Sequence, residues 1–311
     1  MNALQSSEDK ISEEKTIESK LFSRFISYLD ATPKTIDTYT KSIRQLFNYF
    51  SLNGIKNPKR EDILAYKEDL KSKGHKPTTI QNYVTACKIF FKWTSQEGYY
   101  PNIAEHIKGA KIGREHKKDY LTRSQVKDVL LSIEKEDIQG LRDYAIILLM
   151  VTGGLRTIEI IRADISDLRT LGDFTVLYVQ GKGKEDKTEY IKISAPVEKS
   201  IRMYLQMRGT TKETDPLFAS LSNNNRGQRL TTRSISGIVK NRLKQAGYNS
   251  SRLTAHSLRH TAVTLSLLAG KNLAEVQQFA RHANITTTMI YNHSLDNAKN
   301  SCSEAITEAI I

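Results

Sequence analysis

Cysteine is scarce in this chain of 311 residues: only Cys87 and Cys302 are present, far apart and without a CxxC pair or a Cys/His metal spacing. A disulfide framework and a zinc module are thereby excluded, and a reducing compartment fits. Long apolar runs are missing too. The longest, Tyr144 to Val151, has the length of a buried helix, well short of the ~20 residues of a membrane span. The N-terminus, MNALQSSEDKISEEK, lacks the apolar stretch of a secretory leader. No internal repeat or low-complexity segment occurs. These absences lead us to expect a soluble cytoplasmic protein with no membrane partner. Acidic residues are also in deficit, 34 Asp+Glu against 47 Lys+Arg, for a formal net charge of +13. The excess suits a polyanionic partner, most simply DNA or RNA, and is equally compatible with a merely soluble basic protein.

The length exceeds what one core usually serves, so two domains are expected. Residues 1–17 have little apolar content and read as a frayed tail. Within residues 18–100 the apolar spacing is helical. Leu21, Phe22, Phe25, Ile26 and Leu29 share one face; Ile36, Tyr39, Ile43, Leu46, Phe47 and Phe50 form a second stripe ending near Asn53-Gly54. A shorter helix over Asp62–Leu70 and a longer one from about Thr78 to Glu97 complete a four-helix bundle. Residues 101–119, with Lys108, Lys111, Arg114, Lys117 and Lys118, read as a basic linker lying against DNA.

Residues 120–311 then form the second domain. Thr122 is the expected cap of its first helix, and Arg142 to Val151 is apolar almost all round, hence buried, with Thr152-Gly153-Gly154 ending it. Phe174–Gln180 and Thr188–Ser194 alternate as strands of a hairpin whose loop, GKGKEDK, fails the P-loop spacing. Further helices are expected over Ala195–Leu205, Thr232–Gly247 and Ala255–Ala269. The last residues, SEAITEAII, make an amphipathic helix too short to stand alone.

One stretch, Thr254 to His293, concentrates the chemistry. It holds His256, Arg259 and His260 within five residues, then His282, then Tyr291 nine residues later. An arginine fork grips two phosphate oxygens at once, imidazoles move protons near neutrality, and a phenol can serve as a covalent nucleophile. His256 and His260 also have the spacing of a zinc pair, but Ser257 stands where a zincin requires Glu. No metal site is expected.

The pattern H-x-x-R-H, a later histidine and T-T-x-x-Y resembles the C-terminal box of the tyrosine recombinases, or phage-type integrases. TGGLRTIEI, with Arg156 and Glu159, and VQGKGKEDKTEYIKI, with Lys182, resemble two other stretches of that family. The resemblance implies a mainly α fold: an N-terminal four-helix SAM-like core-binding domain that clamps DNA, and an α-rich catalytic domain with a small β-hairpin sheet. It implies site-specific recombination through a 3′-phosphotyrosyl intermediate, with Tyr291 as nucleophile. Arg156, Arg259 and His282 would hold the phosphate, His256 would be the catalytic histidine and Lys182 the general acid. Glu159 would support the cations, while His260 would pack or bond structurally.

Lys184 and Lys187 rival Lys182 in the same loop, and Tyr248 and Tyr178 stand next in line as nucleophiles. Many family members have Leu-Gly before the second histidine, where this chain has Ala280-Arg281; Arg281 would either contact phosphate, which places it with the candidate DNA contacts, or alter the approach of His282. The others are Lys34, Lys41, Arg44, Lys76, Thr78, Thr79, Asn82 and Lys88 in the first domain, and Lys117 and Lys118 in the linker. By the same resemblance the partner is double-stranded DNA with paired recombination sites, bound by a homotetramer at the bacterial nucleoid without any cofactor. The short N-terminal tail points to an Xer-like recombinase or a small mobile-element integrase. The C-terminal helix would dock either on its own domain or on a neighbouring protomer. A type IB topoisomerase-like activity and a catalytically silent DNA-binding regulator are the alternatives.

Overall fold

Proline and threonine mark where the first long helices begin. In the computed structural model, which describes residues 21–111, 119–181, 183–209, 211–291 and 302–311, residues 21–28 form helix α1. Helix α2 (Pro33–Leu52) starts with Thr32 accepting from the amide of Thr35 and with Pro33 in its first turn, where a missing N–H costs nothing. Helix α3 spans Arg60–Ser72, and α4 (Pro77–Gln96) again opens on proline. Their apolar stripes meet in an aromatic core. The Phe90 ring lies edge-on to Phe25 and Phe47 at 5.0 and 5.4 Å, and Trp93 closes over Phe25 at 5.4 Å.

The chain divides into two compact units, Met1–Gly113 and Arg114–Ile311. Residues just after α4 belong to the first unit rather than forming a detached connector, because Ala104 and Ile107 are buried in its core. Lys67 donates to the carbonyl of Lys108 at 2.7 Å and Arg60 to that of Glu105 at 2.5 Å, fixing this segment to α3. Lys117 and Lys118, and the frayed tail, lie outside the described residues.

In the second unit α5 (Arg123–Leu131) is capped by Thr122 and Gln125. Helix α6 (Ile138–Gly153) is buried on nearly all sides, which explains its unbroken apolar run. After the short α7 (Thr157–Arg162) come β1 (Leu168–Leu171), β2 (Phe174–Val179) and β3 (Glu189–Ile193), an antiparallel meander in the order β1-β2-β3. Strand β1 adds to the hairpin expected from the sequence. It is an edge strand with three of its four residues exposed, so it carries no apolar alternation by which to be read.

Helices α8 (Ala195–Arg208), α9 (Thr232–Gln245) and α10 (Ala255–Leu268) pack with α6. Helix α11 (Leu273–Ala280), absent from the sequence reading, is started by a reciprocal cap of Asn272 and Glu275. Residues 286–291 form α12 and Cys302–Ile310 form α13. No helix among the described residues is long and apolar enough to cross a membrane.

Gly154 ends α6 in the left-handed conformation, φ 58°, and a Cβ there would lie 3.0 Å from the Phe279 ring. Gly172, in the β1–β2 turn, has φ 57° and open space around it. Both pay the backbone strain on substitution, about 1–2 kcal/mol, but only Gly154 also meets a ring. Gly154→Ala should therefore lower the urea midpoint more than Gly172→Ala.

Candidate active site

The left-handed turn at Gly154 delivers Arg156 to the N-cap of α7. One carboxylate then does two jobs. Glu159 Oε2 accepts from the Arg156 backbone amide at 2.8 Å, capping the helix, while Oε1 accepts from Arg156 Nη1 at 2.8 Å. The side chain of Glu159 is fully buried. Burial would raise its pKa, yet Arg281, the Arg156 amide and the Arg156 guanidinium hold it below the ordinary glutamate value.

Arg259, from α10, is buried beside it. Its fork is met by two main-chain carbonyls: Nη1 donates to Gly154 O at 2.5 Å, and Nη2 donates to Ala280 O. These are the C-terminal ends of α6 and α11, where carbonyls lack helical partners and the helix dipole is negative. Burial, and then the nearby Arg156, bring the Arg259 pKa down to about 10, so it remains a cation at neutral pH.

Arg281 occupies the C-cap of α11 with φ 53°. Its guanidinium turns inward, donating to Glu159 Oε2 at 3.0 Å, Phe279 O at 2.9 Å and Gly154 O at 3.3 Å. Its own carbonyl accepts from Arg156 Nη2 at 3.0 Å. Two arginines thus share one carboxylate, with Arg259 held beside them by carbonyls. Removing a partner from a buried pair of this kind costs on the order of 3–5 kcal/mol.

His282 and Tyr291 complete the cluster. The His282 Nδ1 lies 2.9 Å from the Thr288 hydroxyl, and its ring stacks on Tyr291 at a centroid distance of 6.2 Å. His260 meets Tyr291 edge-on at 4.6 Å and itself packs on Tyr120 at 5.6 Å. Tyr291 is 2% exposed, among Val263, Val276 and Ala280. Burial raises its phenolic pKa, against the opposing pull of Arg259 and Arg156. Burial, reinforced by Arg259, Arg156, Arg281 and His256, drops His282 to about 4; at neutral pH it is an uncharged imidazole. His256 is solvent-exposed on α10, near enough to contribute to that field.

A cleft of 630 Å³ opens over this cluster, lined by Arg156, Arg281 and His282 on one side and Gly181, Lys184 and Glu189 of the β2–β3 hairpin on the other. Lys182 lies outside the described residues. Arg162 fastens the hairpin by donating to Gly181 O at 3.0 Å. Lys187 is committed elsewhere, paired with Asp164 and Asp167 at 2.6 and 2.5 Å. Tyr248 donates to Asp128 at 2.7 Å, and Tyr178 lies under the Arg169 guanidinium. Neither tyrosine belongs to the arginine cluster.

The candidate DNA contacts of the first unit lie on α2 and along α4, whose N-cap is Lys76. Lys41 pairs with Asp37 at 2.8 Å and Arg44 lies over the Phe22 ring, while Lys34, Lys76, Thr78 and Asn82 are exposed. Thr79 and Lys88 are half-buried on α4. The sequence reading did not single out Thr288, although it lies inside the T-T-x-x-Y motif, nor the inward role of Arg281, whose partner Glu159 is 122 residues away.

Two family models match the chain: the phage integrase family over residues 119–298, and the phage integrase N-terminal SAM-like domain over residues 20–100. The tyrosine recombinase XerC of Herpetosiphon aurantiacus is 31% identical over 282 residues, covering 87% of this chain and 89% of that protein. The tyrosine recombinase XerA of Pyrococcus furiosus is 30% identical, covering 89% and 91%. Among solved structures, the XerH recombinase in a post-cleavage complex with its palindromic difH substrate superposes with a TM-score of 0.68 at 24% identity, covering 86% of this chain and 80% of that one. The Tn1549 transposon integrase in complex with transposon right end DNA gives 0.67 at 20% identity, covering 88% and 93%.

His282 links the cluster to pH. Its folded pKa of about 4 lies below the 6.5 of a free imidazole, so between those values the unfolded chain binds the extra proton. The stability contribution is fully present above pH 6.5 and is lost as pH falls towards 4, by about 2 kcal/mol. Urea unfolding at pH 7.5 and 4.5 should show that loss in the native protein and a smaller one in His282→Gln.

Proposed function

This chain belongs to the phage integrase family of tyrosine recombinases, and from that premise we propose that it cuts and rejoins duplex DNA at specific sites, with Tyr291 as the nucleophile. One observation carries the assignment of residues: Arg156, Arg259 and His282 converge around Tyr291 from separate segments of the chain. In-line attack on a phosphodiester builds negative charge on the nonbridging oxygens. Fixed cations in a site poor in water stabilise that charge most.

In this reading Tyr291 Oη bonds to phosphorus and the bond to the 5′-oxygen breaks, leaving a 3′-phosphotyrosine. Arg156 and Arg259 hold the nonbridging oxygens. His282, neutral and bonded through Nδ1 to Thr288, presents Nε2 to the phosphate. His256 accepts the phenolic proton. Lys182 protonates the departing 5′-oxygen, a task an ammonium performs and a guanidinium does not. Attack of a 5′-hydroxyl from the partner strand reverses the step, so the bond energy is kept and no ATP is consumed.

The biological setting is paired sites bound by a homotetramer at the nucleoid, serving chromosome-dimer resolution or movement of a genetic element. Contacts from Lys34, Lys41, Arg44, Lys76, Thr78, Thr79, Asn82 and Lys88 would add affinity, together with Lys117 and Lys118. In α13, Ile306 and Ile310 are exposed, which supports docking of this helix on a neighbouring protomer.

Tyr291→Phe should bind the target duplex as the native protein does and form no covalent adduct on a nicked suicide substrate, read on a denaturing gel. An undiminished adduct would place the nucleophile elsewhere. Cleavage by the native protein should persist in EDTA, because guanidinium groups supply the positive charge; activity lost to EDTA and restored by Mg²⁺ would contradict this mechanism.

A further inference from the structure

We propose that Arg281 is a positioning residue for strand cleavage: by taking one oxygen of Glu159, it lets that buried carboxylate orient Arg156 without cancelling the positive charge Arg156 offers to the phosphate. The inference rests on the recombinase reading above and adds to it a residue the family pattern does not supply.

The geometry is specific. Glu159 gives Oε1 to Arg156 and Oε2 to both the Arg156 amide and Arg281. The Arg281 carbonyl receives the second Arg156 donor. Arg156 is therefore gripped by Arg281 twice, directly by its backbone and through Glu159 by its side chain. Were residue 281 glycine, the carboxylate would pair with Arg156 alone and the two charges would largely cancel. With Arg281 present, the fixed charges of Arg156, Arg259, Arg281 and Glu159 leave a net excess of positive charge beside the cleft, and Arg281 is itself one of the cleft's lining residues.

This placement is costly. Apart from His106, Arg281 is the only non-glycine residue with positive φ among the described residues. Its side chain is 6% exposed, and its Nε is buried without a hydrogen-bond partner among the described residues. Backbone strain and an unmade buried bond at one residue mark a site held in place by its surroundings.

The test is single-turnover adduct formation on a nicked suicide duplex at saturating protein, with DNA affinity measured in parallel. Arg281→Gly relieves the left-handed strain, Arg281→Met keeps the side-chain bulk, and Arg281→Lys restores a cation. The first two should slow adduct formation about 10- to 100-fold, the cost of a misplaced catalytic group, with Kd within about threefold of native. Arg281→Lys should recover part of the rate. In a Glu159→Gln background, Arg281→Met should cost little more, because the two residues act as one unit.

Native rates in both Arg281→Gly and Arg281→Met would overturn the proposal, and so would a weakened Kd with an unchanged saturated rate, which would make Arg281 a direct phosphate contact. If thermal melts show that both variants unfold, Arg281 is a structural counter-ion and the proposal is again overturned. Tyr291→Phe run alongside separates the two levels: an adduct in that variant sinks the recombinase site assignment, whereas its absence beside native Arg281 rates sinks only the positioning role.

Discussion

The site proposed to hold phosphate must keep several cations close together without neutralising them, and the second unit does so with helix ends. Arg156 and Arg281 share one carboxylate, Glu159, and Arg259 is held by carbonyls; the carbonyls that meet the three arginines are those of Gly154, Phe279, Ala280 and Arg281. Carbonyl dipoles at helix C-termini orient a guanidinium while contributing only partial charge. Had each arginine been met by its own aspartate or glutamate, the cluster would be equally ordered and electrostatically spent. The need to end α6 and α11 at the same spot accounts for the glycine pair that closes α6 and the left-handed cap after α11.

Burial acts on the rest of the cluster through the same field. His282, surrounded by cations and shielded from water, is kept neutral, so it can donate to an anion without adding a further charge that the site would have to accommodate. Tyr291 is pulled both ways, towards the phenol by burial and towards the phenolate by Arg259 and Arg156. Within the first unit, the aromatic core orders helices whose outer faces carry basic and hydroxyl side chains.

Much of this was legible in the sequence because it is written locally. Arg156 and Glu159 are one turn apart, Gly153-Gly154 announces the end of α6, and the apolar stripes of α2 and α4 repeat at helical spacing. What escaped was either exposed or distant. Strand β1 has no alternating pattern because it lies at a sheet edge. Residues 101–111 looked like linker because their apolar anchors, chiefly Ala104 and Ile107, are few and follow no helical spacing, and the side-chain bonds that hold them come from α3. Lys187 resembled a rival to Lys182 until Asp164 and Asp167, on the far side of two strands, came to meet it. Arg281 read as a candidate DNA contact, since nothing near it in sequence indicates that Glu159 is its partner.

The use of main-chain carbonyls to hold the arginines also bears on how portable the site is. A carbonyl at position 279 or 280 is the same whichever residue bears it, so these positions can change side chain without losing the acceptor, provided the helix still ends there. Conversely, the site's side chains transplanted onto another scaffold would arrive without the groups that aim them. What has to be grafted is a pair of converging helix termini, and a search by residue type alone would not find it.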